Sequence, residues 1–120
     1  ALARAVSVAR VGNCVGDISH AIQSFVEKEK FSLPWEFGGH GVGYGVHEPP
    51  FISNAGKAGR GEKLVAGMVL AIEPIVTEGS AEVIMLRDGY AYATKDGLRS
   101  AQFEHTVAIT ENGPLVLTEE

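Results

Sequence analysis

Phe37-Gly38-Gly39-His40-Gly41-Val42-Gly43-Tyr44-Gly45-Val46-His47-Glu48-Pro49-Pro50 sets five glycines around two histidines. Each glycine costs conformational entropy, so such density belongs where the chain takes unusual dihedrals or approaches a ligand closely. In an unbroken strand, side chains seven residues apart face opposite ways. Bends at the glycines would let His40 and His47 converge. The stretch does not fit the dinucleotide pattern G-x-G-x-x-G, and Gly56-Lys57-Ala58-Gly59-Arg60-Gly61-Glu62-Lys63 lacks the G-K-[ST] ending of a phosphate loop, so nucleotide binding is rejected. Taken by itself the stretch fits a surface loop with two solvated histidines equally well.

Upstream the texture is helical. Residues 1–10 are rich in helix formers, with Leu2, Val6 and Ala9 near one face, and Gly12 stops them. This reads as the end of a helix that enters from sequence before Ala1. Asp17 is the expected N-cap of a second helix, with Ile18, Ile22, Phe25 and Val26 at helical spacing and an end near Lys30. Beyond Pro34, short apolar runs and turn residues predict strands at 35–37, 69–76, 82–86, 91–94, 102–110 and 115–118, with turns at Asp88-Gly89 and Asn112-Gly113. Helices first and strands after give an α+β domain, two helices backing a curved antiparallel sheet.

Composition bounds the function. The 120 residues suit one small domain, and 45% hydrophobic content is enough for a core. A net charge of −5 without runs of like charge gives no footprint for nucleic acid or an anionic membrane. No apolar stretch approaches the roughly 20 residues of a membrane span, and nothing resembles a signal peptide. Cys14 is the single cysteine, which precludes an internal disulfide and suits a reducing cytoplasm.

Two carboxylates stand in strand-like surroundings. Glu73 is the one charge in Val69-Leu70-Ala71-Ile72-Glu73-Pro74-Ile75-Val76. A buried carboxylate costs several kcal/mol unless paired or metal-bound, whereas Pro74 also fits an edge strand with Glu73 turned to water. In 101–109, alternation puts Gln102, Glu104 and Thr106 on one face and Phe103, His105 and Val107 on the other. One histidine and two glutamates make a donor set suited to Mn, Fe, Co or Zn.

At these residues the chain resembles type I methionine aminopeptidases of the pita-bread metallopeptidase family, over nearly all of 1–120. The resemblance rests on three blocks: Gly39-His40-Gly41-Val42-Gly43 with His47-Glu48; Ala71-Ile72-Glu73-Pro74; and Ser100-Ala101-Gln102-Phe103-Glu104-His105-Thr106. It implies the second half of a pita-bread fold, the C-terminal half of a catalytic domain whose cleft lies between two pseudo-symmetric halves. It further implies a site of two divalent ions, with His40 and Glu73 binding one and Glu104 bridging both. Two aspartates from the first half would complete the ligands; Asp17, Asp88 and Asp96 fall in turn or cap contexts and do not replace them.

The activity so implied is removal of the N-terminal methionine from nascent proteins and peptides. Glu104 acts there as bridging ligand and general base, and His47 donates a hydrogen bond to the scissile carbonyl, a role worth about 3 kcal/mol. Gln102 supports the site, while Val46 and Tyr90 match positions lining the methionine pocket. This half alone is expected to bind metal weakly and to show little activity. The apolar face that it exposes is expected to meet the missing half or a second copy. Proline-specific aminopeptidases of the same fold are the nearest alternative, though the block from Ala101 to Thr106 and the short interval from Glu73 to Glu104 resemble the type I methionine enzyme. A non-catalytic pita-bread binding module is the other. His20 is expected at the surface, His105 within the sheet, Cys14 as an inert loop thiol, and Trp35 and Phe37 in the core.

Overall fold

A computed structural model describes residues 1–119. Helix α1 spans Leu2–Val8 and α2 spans Val15–Lys28. The strands are β1 (Gly38–Gly41), β2 (Glu48–Ser53), β3 (Val69–Ile72), β4 (Ile75–Thr77), β5 (Val83–Met85), β6 (Tyr92–Thr94), β7 (Ser100–Gln102), β8 (His105–Thr110) and β9 (Gly113–Val116). A five-stranded antiparallel sheet has the order β2-β1-β3-β8-β9, and two ribbons, β4-β7 and β5-β6, extend from it.

The helical period of α2 turns Val15, Ile18, Ile22 and Val26 inward. They join Ala5 and Ala9 against Ile52, Leu70, Ile72, Val107 and Ile109 of the sheet, in one core between the two layers. Full burial of each such branched side chain contributes about 1.5–3 kcal/mol. The expected layering of two helices on an antiparallel sheet is therefore present.

The helix boundaries differ from expectation in detail. Cys14, buried, is the N-cap of α2, and Asp17 is the third helical residue, whose carboxylate accepts the Cys14 N–H at 2.7 Å in a capping box. The same carboxylate accepts the Gly59 N–H at 2.9 Å and so also ties down the 56–63 loop. Gly12 has φ +90°, the left-handed conformation that ends the segment after α1.

The strand expectations need four corrections. Residues 35–37 form a turn; Trp35 is 71% exposed, outside the core, while Phe37 is half-buried and packs edge-on against Tyr92 at 4.9 Å. The glycine-rich stretch contributes two paired strands, because Gly39 and Gly41 let neighbouring backbones approach where a Cβ would lie 2.1 Å from Ala71 O and 2.2 Å from Pro49 O. The run 69–76 is broken at Glu73-Pro74 into β3 and β4, and 102–110 is broken at Phe103-Glu104 between β7 and β8. Proline cannot donate to a ladder, and here it marks the point where the chain changes sheets. His20 is exposed as expected, whereas His105 is only partly buried, its Nδ1 3.0 Å from Thr118 Oγ1.

Candidate metal centre

The two breaks face each other. Pairing of β3 with β8 runs to Ile72 opposite His105, pairing of β4 with β7 begins at Ile75 opposite Gln102, and the Phe103 N–H donates to Pro74 O at 3.4 Å between them. Glu73-Pro74 and Phe103-Glu104 therefore sit side by side at the junction of two sheets. Strand β1 lies beside β3, with His40 opposite Ala71, which brings the His40 ring to the same end of the sheet.

His40 Nε2 is 3.4 Å from Glu73 Oε1, and the two side chains are 13% and 14% exposed. The remaining contacts settle which atoms are free. His40 Nδ1 lies 2.9 Å from Gly41 O. A carbonyl only accepts, so Nδ1 carries a proton, and Nε2 presents a lone pair whenever the ring is neutral. The Gln102 side-chain amide donates to Glu73 Oε2 at 2.9 Å, which leaves Oε1 facing Nε2. Below the pair, the Asn54 amide donates to the Glu73 carbonyl at 3.1 Å.

An imidazole nitrogen and a carboxylate oxygen with facing lone pairs are a fit for a divalent cation. Bonds of about 2.1 Å to one ion, at an angle near tetrahedral, give the observed separation of the two donors. Burial, followed by the charge of Glu104, holds the Glu73 carboxyl above its ordinary pKa, and His40 and His47 partly offset that. Repulsion from Glu104 shows that the two carboxylates share a field, although Glu104 itself is exposed. Among the described residues, no three histidine, cysteine, aspartate or glutamate side chains close around one point. A cation held by His40 and Glu73 would need further ligands from elsewhere to complete its shell.

The glycine bends do bring His47 back. Its ring centroid is 4.0 Å from that of His40, the planes tilted by 46°. Beside the pair is a cleft of about 390 Å³ whose lining includes Phe37, Glu73, Ile75, Tyr92 and Gln102. A larger cavity of about 540 Å³ between the ends of the helices and Phe103 is apolar and holds none of the candidate ligands, whereas the smaller cleft is lined by Glu73 and Gln102. Val46 and Tyr90 are exposed, one on the loop before His47 and one on the turn between β5 and β6, and neither lines that cleft.

Asn54 and Glu48 were not singled out by the sequence. Asn54 is 1% exposed with Oδ1 unpartnered, and in Phe51-Ile52-Ser53-Asn54-Ala55 nothing distinguishes a buried asparagine from a turn residue. Glu48 stood within a recognised block, but its folding back into the glycine loop has no sequence signal.

The model of metallopeptidase family M24 matches residues 1–111. The methionine aminopeptidase of Clostridium perfringens is 51% identical over 115 residues, covering 96% of this chain and 46% of that protein. The crystal structure of methionine aminopeptidase from Thermotoga maritima superposes with a TM-score of 0.97 at 47% identity, covering 99% of this chain and 48% of that one. Prolidase from Pyrococcus furiosus is more distant, with a TM-score of 0.72 at 28% identity over 99% of this chain and 29% of its own. The chain thus spans about half the length of the curated relatives it matches. These likenesses identify the two helices and antiparallel sheet as part of the pita-bread fold.

Proposed function

The chain belongs to metallopeptidase family M24, and from that premise we propose that it is the C-terminal half of a methionine aminopeptidase catalytic domain. The whole protein removes the N-terminal methionine from nascent proteins and peptides in the cytoplasm. The observation that carries this reading is the facing pair His40 Nε2 and Glu73 Oε1, 3.4 Å apart, with His47 beside it.

His40, Glu73 and Glu104 hold divalent metal, two ions (Mn, Fe, Co or Zn) in the complete site. Metal bound there supplies Lewis acidity and lowers the pKa of water to near neutrality. Glu104, the more exposed carboxylate, takes up the proton released as water attacks the scissile carbonyl. His47 donates a hydrogen bond to the oxygen on which charge develops, a contribution of about 3 kcal/mol. Gln102 holds one oxygen of Glu73 so that the other stays turned to His40. Val46 and Tyr90 line the methionine side-chain pocket once the other half closes it. Their exposure in this half is consistent with an unfinished pocket. The apolar cavity near Leu2, Phe25, Phe31, Val76 and Phe103 receives the first half. In this half alone it drives pairing of two copies, which a monomer by light scattering would rule out.

The test is hydrolysis of Met-Ala-Ser by the protein as encoded, loaded with Mn, Fe, Co or Zn, beside an Xaa-Pro peptide. Methionine release that falls at least about a hundredfold in His40→Ala and Glu104→Gln is the expected result. Preference for the Xaa-Pro peptide would establish a proline-specific enzyme instead. Absence of both hydrolysis and metal uptake would leave a binding module.

A further inference from the structure

The loop that carries His47 has little to hold it. It runs from Gly41 to Glu48, which are paired across the β1-β2 ladder with a register irregularity next to His40. Its start is fixed to β3 by the Val42 N–H, which donates to Val69 O at 2.8 Å. Tyr44 and Val46 are exposed and give the loop no apolar anchor. Three glycines within eight residues would leave a free loop many conformations. Even so, the His47 ring is set over His40 at 4.0 Å.

We infer that the Glu48 carboxylate is the brace that holds His47 over His40, a positioning residue for the metal-site histidine pair. Glu48 lies at the base of the loop, and its side chain folds back inside. Oε1 accepts the Gly45 N–H at 2.5 Å, a charge-assisted bond among the stronger kinds. Oε2 fills the space beside Gly43, where a Cβ would lie 2.3 Å from it. The Gly43 N–H in turn donates to Gly45 O at 3.2 Å, so the carboxylate closes a compact turn. Gly43 thus admits the Glu48 side chain, and Gly45 supplies the N–H that it binds. His47, adjacent to Glu48, takes its direction from that turn. The role for catalysis rests on the reading of His40 and His47 proposed above; the brace itself does not.

Two measurements on the protein as encoded, with Glu48→Ala and Glu48→Gln, test this. In histidine-labelled protein, the Overhauser contact between the His40 and His47 rings is expected to vanish in Glu48→Ala. It should persist in Glu48→Gln, which keeps an acceptor for the Gly45 N–H. In the metal-loaded protein, kcat is expected to fall about tenfold or more in Glu48→Ala with little change in KM, and partly to recover in Glu48→Gln. The His47→Ala, Glu48→Ala double variant should be no slower than His47→Ala alone. A ring contact that survives Glu48→Ala, or is lost equally in Glu48→Gln, overturns the brace, as does full additivity of the two substitutions. If Glu48→Ala does not fold, Glu48→Gln decides: loss of the ring contact overturns the inference, and retention supports it. An inactive protein that still shows Glu48-dependent ring contact refutes the catalytic reading and leaves the brace standing.

Discussion

Replacing Gly39 with alanine tests whether close approach of β1 to β3 builds the His40–Glu73 pair. The new Cβ would lie 2.1 Å from Ala71 O and 3.2 Å from Ala71 C, both backbone atoms that no rotamer change can move. A carbon–oxygen contact needs about 3.3 Å, so the strands must part by about 1.2 Å. That weakens the pairing at His40↔Ala71 and Gly41↔Leu70. One or two backbone hydrogen bonds at about 0.5–1.5 kcal/mol each, with overpacking of about 1–3 kcal/mol, sum to about 1.5–6 kcal/mol. For a domain of this size, that lowers Tm by about 6–24 °C. His40 moves with its strand, so the 3.4 Å separation from Glu73 widens and metal affinity should fall about tenfold or more. Gly12→Ala is the control: its φ of +90° costs about 1–2 kcal/mol in left-handed strain, but a Cβ there meets nothing within 4 Å. Calorimetric melting and metal titration of both variants give the answer. A Gly39→Ala protein that melts with the wild type and binds metal equally well would refute the claim that this glycine sets the distance.

Glu73→Gln should lose metal affinity by titration, yet in chelator it should be at least as stable as wild type at neutral pH. The Glu73 carboxyl is held above its ordinary value of 4.5, so its ionised form destabilises the fold above the folded pKa. Wild type therefore gains on the variant as pH falls through that pKa toward 4.5, and urea midpoints against pH would contradict this if the gap stayed constant. Asp96→Asn has the opposite sign. The Ser80 and Leu98 N–H donors, at 2.6 and 3.0 Å, hold the Asp96 carboxyl below its usual 3.8. Its contribution is complete above 3.8 and lost as pH falls through the folded value, so the two proteins' midpoints should differ near neutrality and converge in acid. Leu70→Ala, at a fully buried position in β3, should cost about 2–5 kcal/mol in urea unfolding, against less than about 1 kcal/mol for Leu115→Ala on the exposed side of β9.

Periodicity made much of the fold legible. Ile18, Ile22 and Val26 announce the buried face of α2, and Val107 and Ile109 alternate in β8 as a half-buried strand should. Local capping was less legible, because Cys14 rather than Asp17 starts α2, and a capping box read from its acidic member alone is displaced by three residues. Strands β1 and β2 were hidden for a different reason. Gly38-Gly39-His40-Gly41 has almost no β propensity, and it pairs on both edges because its missing side chains admit two neighbouring backbones. Trp35 was misplaced because aromatic content suggests burial, but the turn it occupies points it outward.

The two broken strands bear most directly on function. An alternating pattern read through Glu73 and through Glu104 yields two continuous strands, each with one awkward carboxylate. The structure interrupts both strands at those residues, with Pro74 at one break and Phe103 at the other. A side chain inside a continuous ladder is committed to one face of one sheet. At a crossing between sheets it is released from that choice, and two crossings side by side set two carboxylates at a common edge. That arrangement is costly without a partner, as the raised pKa of Glu73 records, and burial together with Glu104 is the cause. The strand pattern fails at both carboxylates, and at Glu73 the break coincides with the cost of burying the charge. Together they mark the place where local regularity gives way to the site proposed for a cation.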